Sequence, residues 1–168
     1  MESLEDLQAF ERVAQQLRSE ELLPAGIFDV RHLQAIHYHL FQDVYDWAGQ
    51  IRTVRLGKGD SLFCFPEHIS SELASLFRRL AVSGCLRNLE TDEFATAAAH
   101  FLAELNAIHA FREGNGRTQL AFMSLLASQA GHPLNFRYLE PEPFLAAMIA
   151  SFAGDEGPLR DQLNRLME

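Results

Sequence analysis

The stretch NAIHAFREGNGRTQLAFMSLLA, residues 106–127, gathers a histidine, a glutamate, an asparagine between two glycines and an arginine into residues 109–117, then returns at once to apolar residues. A hydrophobic core has no use for such a cluster, and a surface loop has little use for so regular a spacing. Apolar residues recur with helical period on both sides, so the cluster sits in a short connection between two helices. Gly114, Asn115 and Gly116 then fall at the N-terminus of the second helix. There the first N–H groups lack intrahelical partners and the helix dipole is positive, which makes an anion site. Glycine accepts positive φ and lets a phosphate approach the backbone. Arg117, in the same first turn, offers a fork of donors to phosphate oxygens. Glu113 would repel a bare phosphate and makes sense as a ligand for Mg²⁺ shared with the phosphates. His109 closes the preceding helix, and its near-neutral pKa suits a general base for a hydroxyl. A polyphosphate, a magnesium ion, a base and a hydroxyl together describe phosphoryl or nucleotidyl transfer.

Taken singly, each residue has an ordinary explanation. A histidine closing a helix is usually a cap, a GNG is usually a loop, and Glu113 with Arg117 is a surface ion pair at i, i+4. These explanations leave the ordered combination unaccounted for.

The bulk properties narrow the field. With 168 residues, 48% of them hydrophobic, the chain has the size of one domain with a sizeable core. The formal charge of −9 comes without a visible basic stripe, which argues against nucleic-acid binding. No apolar run approaches a bilayer-spanning length, and the acidic, amphipathic start MESLEDLQAFERVA does not read as a signal peptide. Cys64 and Cys85 lie in unrelated contexts and read as free thiols in a reducing compartment. A cytoplasmic bacterial protein is expected, with secretion into a host cell left open.

The rest of the chain reads as mostly α with one β-hairpin. Leu4, Leu7, Val13 and Leu17 predict a helix over about 4–18. Asp29 caps a second, with Val30, Leu33, Ile36, Leu40 and Phe41 on one stripe. IRTVRL alternates, GKGD is a turn and SLFCF is β-prone, so 51–65 predict a hairpin. Pro66 opens a helix that runs to Gly84, and Thr91, Asp92 and Glu93 open a long one. Gly131 stops the helix that follows the GNG, and two more, over about 141–153 and 158–167, close the chain. His37 and His39, two apart, do not share a helix face and do not suggest a metal. Asp46 and Trp47 read as structural, His100 is out of phase with His109, and Lys58 reads as a solvated turn residue.

HAFREGNGRTQ resembles the Fic family signature HxFx[D/E]GNGRxxR. FQDVYDWAGQIRTVRLGKGD resembles that family's lead into its flap, and PEPFLAAMIASFAGDEGPLRDQL its C-terminal helices. The resemblance implies a single Fic domain over 1–168, with a lead-in at 1–29 and the core at 30–165. It further implies Mg²⁺-dependent transfer of a nucleoside monophosphate, most often AMP from ATP, to a Ser, Thr or Tyr hydroxyl of a target protein. On this chain His109 would be the base, Phe111 the loop anchor and Glu113 the Mg²⁺ ligand. Gly114, Asn115, Gly116 and Arg117 would bind the phosphates. The flap Leu56, Gly57, Lys58, Gly59, Asp60, Ser61 and Leu62 would clamp the target by β-strand addition.

One position departs from the signature: its final arginine is Leu120 here. In the family that arginine meets the terminal phosphate of ATP, and an inhibitory glutamate pairs with it. Losing one charge-assisted contact costs about 1.5–3 kcal/mol, or roughly 10–150-fold in affinity. Slow transfer from ATP, transfer from another donor (phosphotransfer or a different nucleotide), and a catalytically inactive binding module all fit that loss. The family's inhibitory pattern [S/T]xxxE[G/N] does not occur in these residues. Inhibition is expected from a separate small antitoxin-like partner or not at all.

Overall fold

The computed structural model describes residues 22–168, so the helix expected over about 4–18 lies outside the described residues. Six α-helices and a two-stranded antiparallel sheet follow in the order α1 (Val30–Phe41), β1 (Gly57–Lys58), β2 (Ser61–Leu62), α2 (Pro66–Val82), α3 (Thr91–Ile108), α4 (Asn115–Gln129), α5 (Pro141–Phe152) and α6 (Gly157–Leu166), with a 3₁₀ turn at Phe136–Tyr138. Among the described residues no helix is long and apolar enough to cross a membrane.

The helix α3 is the axis of the fold and packs against α2, α4, α5 and α6. Its sequence explains this. Phe94, Phe101, Leu102, Leu105 and Ile108 are buried on several faces, and Ala95, Ala98, Ala99 and Ala103 let neighbouring backbones approach closely. At its start Glu90 and Glu93 form a reciprocal capping box, so Glu90 rather than Thr91 is the cap. Phe77, Phe101 and Phe122 meet edge-on and stacked, joining α2, α3 and α4 into one core. Asp29 caps α1 by accepting from the His32 N–H at 2.9 Å, as expected.

The hairpin is shorter than 51–65. Its strands pair Gly57 with Leu62 and Lys58 with Ser61, and one further bond, from the Phe63 N–H to Leu56 O at 3.1 Å, carries the register one pair outward. Further out the arms bond elsewhere: the Arg52 N–H donates to Ala110 O at 2.9 Å, and the Cys64 N–H to Ala107 O at 3.1 Å. The last turn of α3 and the loop just after it therefore take hydrogen bonds that a longer hairpin would have used.

Candidate active site

The site lies where the central helix ends and α4 begins. His109 terminates α3 in the left-handed region, φ 52 and ψ 63, where glycine is usual. Its Nδ1–H donates to the Asn106 carbonyl at 3.3 Å, which leaves the ring lone pair on Nε2. The imidazole stacks on Phe63, centroids 3.7 Å apart and 8° from parallel, and Phe152 meets the Phe63 ring edge-on at 5.3 Å. An imidazole is thus presented on a strained backbone with one face covered by the Phe63 ring.

The loop after His109 is held from inside. Phe111 is buried, as expected of an anchor. Asn115 is buried as well: its Oδ1 accepts from the Phe111 N–H at 2.9 Å and its Nδ2 donates to Phe111 O at 2.7 Å. The expectation that Asn115 joins a phosphate cradle therefore applies to its backbone alone, because its amide closes the loop. Phe111 stacks on His37, centroids 3.9 Å apart. The His37 Nε2–H donates to Glu113 O at 2.9 Å, and its Nδ1 accepts from the Gly49 N–H at 2.8 Å. Those two bonds require the neutral Nε2–H tautomer, and burial pushes the His37 pKa down, with the bond to Glu113 opposing it. Trp47 stacks on Tyr45 at 4.3 Å, and Arg112 lies 5.7 Å from the Trp47 ring centroid, so Trp47 is structural as expected.

Gly114 caps α4 at φ 78, a position that an L side chain would strain. A Cβ there would sit 2.3 Å from Phe41 Cε2 and Cζ, so glycine is required sterically too. Its carbonyl accepts from the Thr118 N–H at 3.1 Å and the Thr118 Oγ1–H at 2.9 Å, which starts the helix. Arg117 lies over the Phe41 ring at 5.6 Å, so one aromatic side chain backs both the glycine and the arginine. Glu113 is exposed and accepts a long bond of 3.4 Å from the Gly114 N–H. His109, Glu113, the N-terminal turn of α4 and Arg117 thus lie around one helix junction. The flap residues Gly57–Leu62 are exposed at the far end of the arms.

Leu120 does not face solvent. It is 1% exposed and belongs to the core cluster with Leu102, Leu105 and Phe122. Its apolar burial takes the place of whatever an arginine at this position would do. Cys64 and Cys85 are free thiols, and burial raises the Cys64 pKa. His100 pairs with Glu156 at 2.9 Å, away from His109.

Sequence reasoning missed four residues that build this site: His37, Phe41, Arg52 and Phe63. His37 carried a signal, since it lies at i+4 from Leu33 and i−4 from Phe41 on the apolar stripe of α1. Arg52 carried none, because an arginine in a polar-looking strand gives no hint that it is 2% exposed.

The Fic/DOC family model matches residues 27–127. A Sinorhizobium fredii protein named as a probable protein adenylyltransferase (y4lH) is 50% identical over 163 residues, covering 96% of this chain and 85% of that one. Among solved structures, the BepC protein of Bartonella tribocorum with bound AMPPNP superposes with a TM-score of 0.78 at 28% identity, over 95% of this chain and 82% of that one. The N-terminal Fic domain of a VirB-translocated Bep effector of Bartonella quintana, with bound ADP, gives 0.79 at 29% identity, over 99% and 86%. By signature, fold and relatives alike, this chain belongs to the Fic/DOC family.

Proposed function

We propose that this chain is a protein adenylyltransferase that moves AMP from ATP to a Ser, Thr or Tyr hydroxyl of a target protein, with His109 as general base. The observation that carries the reading is the junction itself: a histidine with its lone pair on Nε2 stands beside a helix N-terminus capped by a glycine at φ 78. Half-identity to a relative named as a probable adenylyltransferase, and likeness to Fic domains holding AMPPNP and ADP, support nucleotide as donor over the other readings of Leu120.

In this reading the His109 Nε2 takes the proton of the target hydroxyl. The oxygen forms a bond to the α-phosphorus, and the α–β phosphoanhydride bond breaks, releasing pyrophosphate. The N–H groups of the first turn of α4 and the Arg117 guanidinium bind phosphate oxygens. Among the described residues no group of three or more His, Cys, Asp or Glu converges to hold a metal. Glu113, exposed beside the N-terminus of α4, is the carboxylate that would hold Mg²⁺, with phosphates and water as further ligands. When bound, the ion would neutralise phosphate charge.

The target would lie along the flap. Among the described residues both strands of the two-stranded sheet keep an unpaired edge, so an added strand can bond to backbone without demanding a sequence. The free thiols Cys64 and Cys85 suit a reducing, ATP-rich cytoplasm. A separate inhibitory partner would meet a buried leucine at 120, so a glutamate seeking an arginine there finds no counter-charge. The experiment is transfer from ATP labelled at the α- or γ-phosphate: AMP transfer carries the α label alone, phosphotransfer the γ label, and a binding module neither.

A further inference from the structure

We infer that Arg52 is a positioning residue for this reaction: its guanidinium fixes the arms of the flap against the helix end that carries His109, and so sets where a target hydroxyl meets the base. The inference rests on the reading of His109 as that base.

Arg52 is 2% exposed, and among the described residues no carboxylate pairs with it. Burying a guanidinium without a counter-ion is costly unless its donors are satisfied. Four of its five N–H donors meet main-chain carbonyls. Nε donates to His109 O at 2.6 Å, and Nη2 to Ile108 O at 3.1 Å, both at the end of α3. Nη1 donates to Val54 O at 2.7 Å and Nη2 also to Cys64 O at 2.6 Å, one on each arm of the flap. The cation also faces the negative end of the α3 dipole.

That pattern needs a fork. The guanidinium carries five N–H donors in a rigid plane, whereas an ammonium is a point charge on a flexible stem. The consequence reaches the base through the next residue along the arm. Phe63 precedes Cys64, and its ring lies 3.7 Å from the His109 ring. Letting go of the Cys64 and Val54 carbonyls would free that arm, the Phe63 face under the imidazole, and the exposed strands where a target would dock. The terminal carbonyls of α3, one of them that of His109 itself, would lose their donor at the same moment.

The test is Arg52→Lys in the full chain, which keeps the charge and removes the fork. Affinity for Mg²⁺–AMPPNP by calorimetry is expected to stay within about 3-fold, while kcat for α-label transfer in a cell lysate falls at least ~100-fold, the scale of a misplaced reactant. The His109 ring protons are expected to move downfield in NMR as the Phe63 ring current weakens. Arg52 as a merely structural residue predicts instead that AMPPNP binding and labelling fall in equal proportion, and that result overturns the inference. So does unchanged labelling, or an unshifted His109 ring. If Arg52→Lys does not fold, Phe63→Leu decides: a loss of kcat of about 10-fold or more with unchanged AMPPNP affinity supports positioning through the arm, and unchanged kcat overturns it. Absence of any label transfer by the wild type would refute the transferase reading instead, while the His109 ring shift still reports on Arg52.

Discussion

Replacing Gly114 with alanine combines two costs that the structure separates. At φ 78 an L residue is strained by roughly 1–2 kcal/mol. The new Cβ would also lie 2.3 Å from two Phe41 ring atoms, and Phe41 is buried between His37 (4.8 Å), Tyr45 (5.8 Å) and the Arg117 guanidinium (5.6 Å). Over-packing of that kind costs about 1–3 kcal/mol. Together the loss is about 2–5 kcal/mol, or a fall in Tm of about 4–20 °C at this chain length. Gly131→Ala is the control, because Gly131 has φ +86 with nothing within 4 Å of its Cβ position, and so carries the backbone cost alone. Urea melts and thermal scans of both variants measure the difference, which reports the Phe41 clash. Adding Phe41→Leu to Gly114→Ala should return part of the loss, so the two changes are non-additive. Equal losses for Gly114→Ala and Gly131→Ala would refute the steric argument. Because Phe41 also backs Arg117, nucleotide affinity should fall in Gly114→Ala and not in Gly131→Ala.

Asn115→Asp keeps an acceptor for the Phe111 N–H but turns a carboxylate toward Phe111 O, so chemical denaturation should show a loss of about 1–3 kcal/mol or more. His37 is buried as the neutral form and its pKa is lowered below 6.5, so the unfolded chain binds the extra proton first. The stability it confers is complete above pH 6.5 and is lost as pH falls toward the folded pKa, with a slope up to about 1.4 kcal/mol per pH unit; His37→Gln should flatten that part of the urea-melt profile. His109→Gly should be more stable than His109→Ala by about 1–2 kcal/mol, since φ 52 suits glycine, with label transfer abolished in both. Leu120→Arg places a charge at a site 1% exposed, and helical side chains lean toward the N-terminus, so its head is directed along α4 toward the first turn of that helix. Stability should fall, and affinity for ATP should rise by roughly 10–150-fold, readable by calorimetry.

The helices were legible because their apolar stripes and stops are local. Asp29, Pro66 and Gly131 mark ends that the structure reproduces. Glu90 was not legible as a cap, because glutamate seldom plays that part and its partner Glu93 was read as a dipole charge. The hairpin was over-extended for a physical reason: alternation in 51–56 says nothing about where the N–H groups go, and that of Arg52 goes to Ala110 O, just past α3. Within HAFREGNGR the backbone roles could be read from the glycines and the helix boundary. The role of Asn115 could not, since an asparagine that satisfies its own loop has the same letter as one that meets a ligand. Leu120 was read as a missing charge. Its burial in the core cluster adds what the letter does not, that the side chain is part of the core.

If His109 activates a target hydroxyl toward the α-phosphorus of ATP, transfer follows the α label and needs the imidazole. The direct measurement is incubation of the purified chain with Mg²⁺, a cell lysate and ATP labelled at either the α- or the γ-phosphate, beside the His109→Ala variant. Label carried from the α-phosphate alone, and absent in His109→Ala, is the predicted result. Label from the γ-phosphate, or α label that persists without His109, would contradict it.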